Sequence, residues 1–418
     1  MPGKKSNHPL SVIAQVLSIG MFLCSHGAWA AGKYKTLHAF KSGEDGSRPG
    51  AGVIFDQAGN LYGTAEGGGP NAAGDVFQLT PNPDGTWTEN VLYNFCALAS
   101  CTDGASPQGG LVFDTSGNLY GTTKLGGVDN YGEVFRLSPN GDGAWTENVL
   151  YSFMGSDGSS PTDSLTFDAS GDLYGTTSGG GAYAQGTVFK LTPQPGGSWT
   201  ESVLYDFPGG DDGSTPLGGV IFDAQGNLYG TTFYGGRTAE GIVFKLKPSK
   251  RGAWTLSVLH GFNSNRDGGQ PVDSPIMDSS GNLYLTTPEG GRFGYGMVFE
   301  LVRGAGGEYT GSVLHDFTGG RRGEVPQAGL IFDLAGDLYG TTYQGGNLNC
   351  VSPYGCGVVF KMTPQARGKW SYRVLHRFSG SPGALPVASV IFDATGDLYG
   401  TTQGGLGTSF GSVFEFMP

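Results

Sequence analysis

The sequence predicts an all-β protein, a seven-bladed β-propeller built from four-stranded antiparallel blades, on three observations. One motif recurs seven times along the 418 residues, for example as IFDQAGNLYGTA from Ile54 and as IFDATGDLYGTT from Ile391. Glycine makes up 77 of the 418 residues, and no segment keeps a helical period, which favours short strands joined by tight turns. The N-terminal segment also supplies a strand that the last copy of the repeat lacks.

The spacing of the copies matches propeller blades. Glycines in the motif are separated by 58, 54, 55, 55, 55 and 60 residues, and they are Gly59, Gly117, Gly171, Gly226, Gly281, Gly336 and Gly396. In the third copy, residues 164–168, 172–177, 186–192 and 199–207 read as four strands, a to d. A short Asp-x-x-Gly turn between strands a and b predicts a hairpin. Such a four-stranded unit needs neighbouring copies to cover its faces.

The two ends of the chain predict how the ring closes. The seventh copy ends after strand c at Met417-Pro418, whereas residues 34–40 match strand d of the other copies. We therefore expect residues 31–40 to form the outer strand of blade 7, so that residues 31–418 form one closed propeller without an open sheet edge.

Residues 1–30 have the features of a signal peptide. Lys4 and Lys5 precede a mostly apolar run over residues 10–24, and Ala28-Trp29-Ala30 is a small-x-small cleavage site. Cleavage after Ala30 predicts a secreted protein, extracellular or periplasmic. No later run approaches the roughly 20 apolar residues that a membrane-spanning helix needs, so no transmembrane segment is expected.

The charge of the chain limits its partners. The net charge of −12 becomes −14 once the leader and its two lysines are removed. Nucleic acids and anionic membranes require a basic surface, so neither is expected as a partner. We expect a monomer that uses no cofactor.

The motif GNLYGTT, followed by a Gly-Gly pair and then by VFKLTP, resembles the Gly-Tyr tandem repeats called GloVer, or Gloeo/Verruco, repeats of secreted bacterial proteins. The similarity covers nearly all of residues 34–418, and its first half is also similar to the hairpin of NHL-like propellers. The resemblance implies an extracellular location and no established catalytic activity. Members of the family often carry a C-terminal anchoring segment; this chain ends directly after a strand, which favours free release or a periplasmic location.

Four cysteines of the mature chain fall into two local pairs, Cys96 with Cys101 and Cys350 with Cys356. Both pairs lie in the copies with the longest spacing, so each occupies an enlarged loop. In an oxidising compartment this pattern predicts two disulfides. The alternative, one four-cysteine zinc site, would require loops of blades 1 and 6 to meet across the ring.

Other reactive residues occupy repeat positions, which favours structural roles. Four histidines share one position of strand d, namely His38, His260, His315 and His376. Seven aspartates follow strand a, namely Asp56, Asp114, Asp168, Asp223, Asp278, Asp333 and Asp393. Outer-strand histidines of different blades cannot converge on one substrate, and the aspartates lack the alternating spacing of calcium ligands. No catalytic residue and no metal site is therefore predicted.

The loops between strands b and c vary most between copies, and they share a face with the d-to-a connections. We expect the ligand site where one sector departs from the repeat, in blades 4 to 6, at Tyr234, Arg237, Arg292, Tyr295, Asn347 and Tyr354. Carboxylates from the connections are expected on the same face, at Asp103, Asp157, Asp212 and Asp267. Aromatic rings beside charged groups suit a glycan, a peptide or a protein ligand.

Two alternatives to a non-catalytic binding protein stay open. A propeller enzyme of the lyase or glycosidase type would place acids at inner positions where other blades are apolar, but strand a stays apolar, as in Val53-Ile54-Phe55. A purely structural module of a cell-surface assembly is the second alternative. The fold alone does not decide among the three functions.

Overall fold

Seven antiparallel sheets of four strands each form the blades of a β-propeller in the computed structural model, which describes residues 32–141, 143–250, 252–404 and 410–418. The predicted signal peptide, residues 1–30 with cleavage after Ala30, lies outside the described residues. The all-β fold with seven blades is confirmed.

Each blade runs from strand a at the channel to strand d at the outside. The a strands are Ile54–Phe55, Val112–Phe113, Thr166–Phe167, Ile221–Phe222, Ile276–Met277, Ile331–Phe332 and Ile391–Phe392. The b strands are Leu61–Ala65, Leu119–Thr123, Leu173–Thr177, Leu228–Thr232, Leu283–Thr287, Leu338–Thr342 and Leu398–Thr402. The c strands are Asp75–Pro81, Glu133–Pro139, Thr187–Pro193, Ile242–Pro248, Met297–Arg303, Val358–Gln365 and Ser412–Met417. The d strands are Trp87–Asn94, Trp145–Ser152, Trp199–Asp206, Trp254–Gly261, Tyr309–Asp316, Lys369–Arg377 and, for blade 7, Lys33–Ala39. Within the described ranges, four 3-10 turns lie in connections, at Ala99–Cys101, Gly210–Asp212, Gly320–Arg322 and Ala366–Gly368.

The N-terminal strand closes the ring. Strand Lys33–Ala39 pairs antiparallel with Ser412–Met417, with Tyr34 opposite Phe416. The ring of Tyr34 also stacks on His376 of blade 6, with 4.3 Å between centroids. The predicted composite blade is thus confirmed, and its outer strand contributes both to the sheet and to the contact with the preceding blade.

Strand b joins each blade to the next by a buried hydrogen bond. The hydroxyl of Thr64 donates to the carbonyl of Gly109, just before strand a of blade 2, at 3.1 Å. The equivalent bonds are Thr122 to Asp163, Thr176 to Gly218, Thr231 to Asp273, Thr286 to Ala328, Thr341 to Ala388 and Thr401 to Ala51. The last of these bonds joins blade 7 to blade 1.

The tyrosine and glycine of strand b shape the packing between blades. Tyr62 meets Phe113 of the next blade edge-on at 5.1 Å between centroids. A Cβ atom on Gly63 would lie 2.5 Å from Cζ of Phe77, so only glycine leaves room for that ring. Aromatic contacts of this kind contribute beyond their buried area.

The aspartates after strand a stabilise the a-to-b turns, as expected. Oδ1 of Asp56 accepts the backbone N–H groups of Ala58 and Asn60. Oδ2 of Asp56 accepts the hydroxyl of Tyr62 at 3.0 Å, and the same tyrosine–aspartate bond recurs in all seven blades. These carboxylates therefore connect the turn to the interface between blades.

In the part of the chain that the structure describes, Asp75 and Glu133 are two carboxylates buried between blades with no hydrogen-bond partner for either oxygen. Asp75 and Glu133 open strand c of blades 1 and 2, and both residues are 0% exposed. Neither carboxylate receives a hydrogen bond from another described residue. Burial, with the nearby charge of Glu89, raises the pKa of Asp75 to about 8. Burial and the charge of Glu147 raise the pKa of Glu133 to about 9.

These groups predict that the protein is more stable in acid than in alkali. An unfolded carboxyl group titrates near pH 4, whereas the folded groups hold their protons up to about pH 8 and 9. Below about pH 4 these two groups therefore make their full contribution to the free energy of unfolding. That contribution is lost as the pH rises through the folded pKa values. Calorimetry should show the unfolding midpoint falling from pH 5 to pH 9. Asp75→Asn and Glu133→Gln should flatten this decline, and a midpoint that rises over the same range would contradict the assignment.

Deleting residues 33–39 should destabilise the ring. Tyr34 and Leu37 would lose their burial, and each such side chain contributes about 1.5–3 kcal/mol. We expect the free energy of unfolding, measured in urea, to fall by about 3 kcal/mol or more, and a synthetic peptide of residues 32–41 to restore part of it. Unchanged unfolding of the deletion variant would show that the ring does not need this strand.

Candidate functional site

A channel along the ring axis contains a cavity of about 250 Å3 lined by residues from all seven blades. The lining comes from the segments that lead into strand a, for example Gln108, Thr162 and Gln327. Toward the loop face the channel widens into a mouth of about 390 Å3, which Lys124 and Ser178 border at the ends of their b strands. Polar groups thus converge at the centre of the face where the sequence predicts binding.

Two aspartates in the channel interrupt the repeat. Five residues before the turn aspartate, the other blades carry glycine or alanine, at Ala51, Gly109, Gly218, Ala328 and Ala388. Blades 3 and 5 carry Asp163 and Asp273 at this position, and both line the cavity. The expectation that no inner acid interrupts the repeat is therefore wrong. It rested on strand a itself, and comparing the residues that precede strand a would have found both aspartates.

Asp163 connects three blades. Its Oδ2 accepts the backbone N–H of Gly219 in blade 4 and the hydroxyl of Ser274 in blade 5, the latter at 3.2 Å. Its Oδ1 accepts the N–H of Ser164 at 2.6 Å. Removal from bulk water raises the pKa of Asp163, and the hydrogen bonds offset part of that rise.

Asp273 repeats this arrangement two blades further on. Its Oδ2 accepts the N–H of Gly329 in blade 6 and the hydroxyl of Ser389 in blade 7, the latter at 3.3 Å. Removal from bulk water raises the pKa of Asp273, and the charge of Asp163 raises it further. Two carboxyl groups with raised pKa values could exchange protons with a ligand. Each is also held by three donors, as a structural tie between blades would be.

Three of the six predicted ligand residues share one repeat position. Arg237, Arg292 and Asn347 each follow the Gly-Gly pair of their b-to-c loop. The corresponding residues of blades 1 to 3 are Pro70, Val128 and Ala182. Both arginines are exposed and Asn347 is half-buried. Blades 4 to 6 therefore present polar groups where blades 1 to 3 are apolar.

The three predicted tyrosines lie on the same loops and are exposed. Tyr234 is 46% exposed and Tyr354 is 55% exposed. Tyr295 is 42% exposed, but one edge of its ring packs against Gly319, as Tyr131 packs against Gly155 in the equivalent loop of blade 2. Part of the Tyr295 ring is thus structural.

None of the six predicted residues lines the cavity in the channel or its mouth. The structure therefore places two separate features on this face, a ring of loops and a central channel. Within the loops, Tyr295 approaches the turn that holds Gly320, and the N–H of Gly346, beside Asn347, donates to the Gly320 carbonyl at 2.9 Å. Loops of blades 5 and 6 are thereby joined.

Two of the four aspartates expected in the d-to-a connections, Asp103 and Asp157, point inward. Asp103 is 0% and Asp157 is 8% exposed. Oδ2 of Asp103 accepts the hydroxyl of Tyr93 at 2.8 Å, and Oδ2 of Asp157 accepts that of Tyr151. For Asp103 and Asp157 the expectation that the carboxylate faces a ligand is wrong, because a tyrosine of strand d in the preceding blade donates a hydrogen bond to it. Asp212 is exposed, and Asp267 lies half-buried beside His260.

Both predicted disulfides, Cys96–Cys101 and Cys350–Cys356, are present, so the four cysteines form no shared zinc site. The four repeat histidines lie in separate interfaces between blades: His38 beside Asp45, His260 beside Asp267, His315 stacked on Tyr372 and His376 stacked on Tyr34. Burial lowers the pKa of His315 and of His376 to about 4. In the described ranges no group of three or more His, Cys, Asp or Glu side chains is placed to hold a metal ion.

Blade count, ring closure and a polar channel that opens on the loop face together define the class of protein, a seven-bladed β-propeller with one variable face. Within that class, the chain belongs to the family described as the Gloeobacter/Verrucomicrobia repeat, whose model matches residues 28–237 and 218–418. The family resemblance inferred from the motif is confirmed.

No curated protein matches the sequence. A crystal structure of a putative oxidoreductase (glucose dehydrogenase) from Thermus thermophilus is similar at 15% identity and a TM-score of 0.43, over 92% of this chain and 100% of that one. A protein of unknown function from Dyadobacter fermentans is similar at 13% identity and a TM-score of 0.42, over 81% of this chain and 96% of that one. Similarity at this level does not bear on what the present chain binds.

If Asp163 and Asp273 are ties between blades, removing either should destabilise the ring. Asp163→Ala leaves the buried N–H of Gly219 without an acceptor, and Asp273→Ala does the same to Gly329. An unsatisfied buried donor costs about 1–3 kcal/mol, which thermal or urea unfolding would detect. The control is Asp129→Ala, which removes the same charge from an exposed loop. Unchanged unfolding of the channel variants would mean that the two carboxylates do not hold the blades together.

Proposed function

We propose that this chain is a secreted, monomeric binding protein without catalytic activity, which recognises extracellular glycans or peptides through the loop face of blades 4 to 6. One observation carries the proposal: the position after the Gly-Gly pair is polar at Arg237, Arg292 and Asn347 and apolar in blades 1 to 3. Residues that build every blade recur in every blade, so a ligand site is expected where one sector differs.

The side chains of this sector suit a polar ligand with apolar faces. Exposed rings of Tyr234 and Tyr354 can stack on a sugar or on a peptide side chain. The guanidinium group of Arg292 lies 5.4 Å from the ring centroid of Phe293, itself 48% exposed, so a charge and an aromatic surface are presented together. Such groups fix hydroxyls, carbonyls or charged termini while the ring supplies contact area.

The disulfide-closed loop of blade 6, called the stapled loop below, favours binding because its conformation is already restrained. Cys350–Cys356 closes the loop that carries Asn347 and Tyr354. A loop that is already restrained loses less conformational entropy when a ligand orders it, so more of the contact energy appears as affinity.

Secretion is supported by the predicted leader and by the two disulfides, because disulfides persist in oxidising compartments. Among the described residues, no helix has the length and apolar character needed to cross a membrane.

Asp163 and Asp273 favour one second candidate, an enzyme of the lyase or glycosidase type acting in the channel. A protonated and an ionised carboxyl group can serve as general acid and general base. The three donors on each carboxylate favour the structural role, and turnover that is lost in Asp163→Asn, with the fold intact, would favour the enzyme.

The proposal predicts that Arg292→Ala and Tyr354→Ala each weaken binding by at least about 1 kcal/mol, as truncation of a contact residue at an interface does. A glycan array and a peptide array with the mature protein would first identify a ligand, and calorimetry would then measure the affinities.

The matched control is Tyr131→Ala, because Tyr131 occupies the repeat position of Tyr295 on the other side of the ring. It should leave the affinity unchanged. Binding that depends on Tyr131 and not on Arg292 or Tyr354 would place the site elsewhere, and a protein that binds nothing on either array would favour a purely structural module.

A further inference from the structure

A second cavity, of about 490 Å3, lies beside the stapled loop of blade 6. Its lining is Arg321, Gly346, Asn347, Leu348, Asn349 and Arg377. Two arginines and two asparagines therefore line one space, and no acidic residue is among the described residues that line it. Only Asn347 of this set was expected from the sequence.

A hydrogen bond from the side chain of Arg377 to the backbone of Arg321 joins the two residues. Arg321 lies in the 3-10 turn Gly320–Arg322 of the connection from blade 5, and Arg377 ends strand d of blade 6. Nε of Arg377 donates to the Arg321 carbonyl at 3.0 Å. The N–H of Gly346 donates to the Gly320 carbonyl, which fixes the stapled loop against the same turn.

Both charges are uncompensated. In the part of the chain that the structure describes, neither guanidinium group forms an ion pair with a carboxylate. Two acids of the adjoining blade 5 segments accept backbone N–H groups: Asp316 accepts that of Arg292 at 3.0 Å, and Glu324 accepts that of Gly320.

The distribution of charge along the chain also distinguishes blades 4 to 6 from the first three blades. Residues 237–377 contain ten of the twelve arginines and 15 basic against 11 acidic residues. Residues 31–236 contain seven basic against 22 acidic residues. A net positive sector in an acidic protein attracts anions and orients them before contact.

We propose that this cavity binds the carboxylate of an acidic sugar, so that the ligand of the loop face is a uronic acid-containing glycan. The proposal rests on the proposed binding function and specifies its ligand. Guanidinium groups match carboxylates as planar forks with two parallel hydrogen bonds. Oδ1 of Asn347 accepts the N–H of Asn349 at 3.2 Å, which leaves the amide nitrogen free to donate to a ring hydroxyl.

The test uses the mature protein with two probes, a glucuronic acid oligomer and the glucose oligomer of the same length. We expect the acidic oligomer to bind more tightly, with an affinity that falls as salt is raised. Arg321→Gln and Arg377→Gln should each reduce that affinity about tenfold and leave the affinity for the neutral oligomer unchanged. Arg377→Lys, which keeps the charge and loses the fork, should recover only part of the loss.

The matched control is Arg303→Gln, which removes an equal charge from an exposed position at the end of strand c in blade 5, beside the turn that holds Gly281. It should have no effect, and circular dichroism and thermal unfolding would confirm that every variant folds.

Equal affinity for the two oligomers, or equal losses in Arg303→Gln and Arg321→Gln, would overturn the acidic-sugar proposal. Binding of the neutral oligomer that still depends on Arg292 and Tyr354 would leave the proposed function in place. Binding of an acidic peptide and of neither oligomer would overturn the glycan assignment.

Discussion

A buried hydroxyl in strand b determines the geometry of the ring. Each strand-b threonine, from Thr64 to Thr401, donates to a carbonyl just before strand a of the next blade. A hydroxyl buried without a partner would cost free energy, so the bond fixes how close neighbouring blades lie. The same bond positions the segment that lines the channel, and four of the accepting residues, Ala51, Asp163, Asp273 and Ala388, line the cavity. Asp163 and Asp273 are two of these accepting residues, which is why a change at one repeat position alters the channel and not the core.

The sequence was sufficient for the fold because the residues that build a blade recur in every blade. The turn aspartates, the composite seventh blade and both disulfides could be predicted from motif, spacing and pairing alone. Blade 5 contains a compensated substitution that the repeat pattern does not reveal. There Leu285 replaces the glycine of strand b, and the ring of Phe299 lies instead over Gly311 of strand d, where an added Cβ would be 2.5 Å from its Cζ. Such compensation depends on side-chain volume across two strands, which one position of the motif does not reveal.

The candidate site was predicted less well, for two physical reasons. The direction in which a loop side chain points depends on backbone contacts that spacing does not encode: Asp103 lies on the loop face in sequence, yet it turns inward to Tyr93. The second reason is that sites built across blades join residues far apart in the chain. Arg321 and Arg377 meet because the blade 5 connection passes beside the end of strand d in blade 6. Asn347 could be found from the sequence because it lies in a loop that departs visibly from the repeat.

Acidic residues and arginines in this ring differ in how deeply they are buried as well as in the blades that carry them. In blades 1 and 2 the carboxylates of Asp75 and Glu133 are buried between sheets and hold their protons up to alkaline pH, so near neutral pH they add little negative charge to the surface. In blades 4 to 6 the arginines at 237, 292, 321 and 377 are exposed. The face that a ligand meets is therefore more positive in this sector than the net charge of −12 suggests.

An anionic ligand approaching along the axis would be drawn toward blades 4 to 6, since the field of exposed charges guides an encounter before any contact is made. Net charge alone argues against nucleic acids and anionic membranes as partners, whereas the placement of the exposed arginines in blades 4 to 6 suits a smaller anionic ligand.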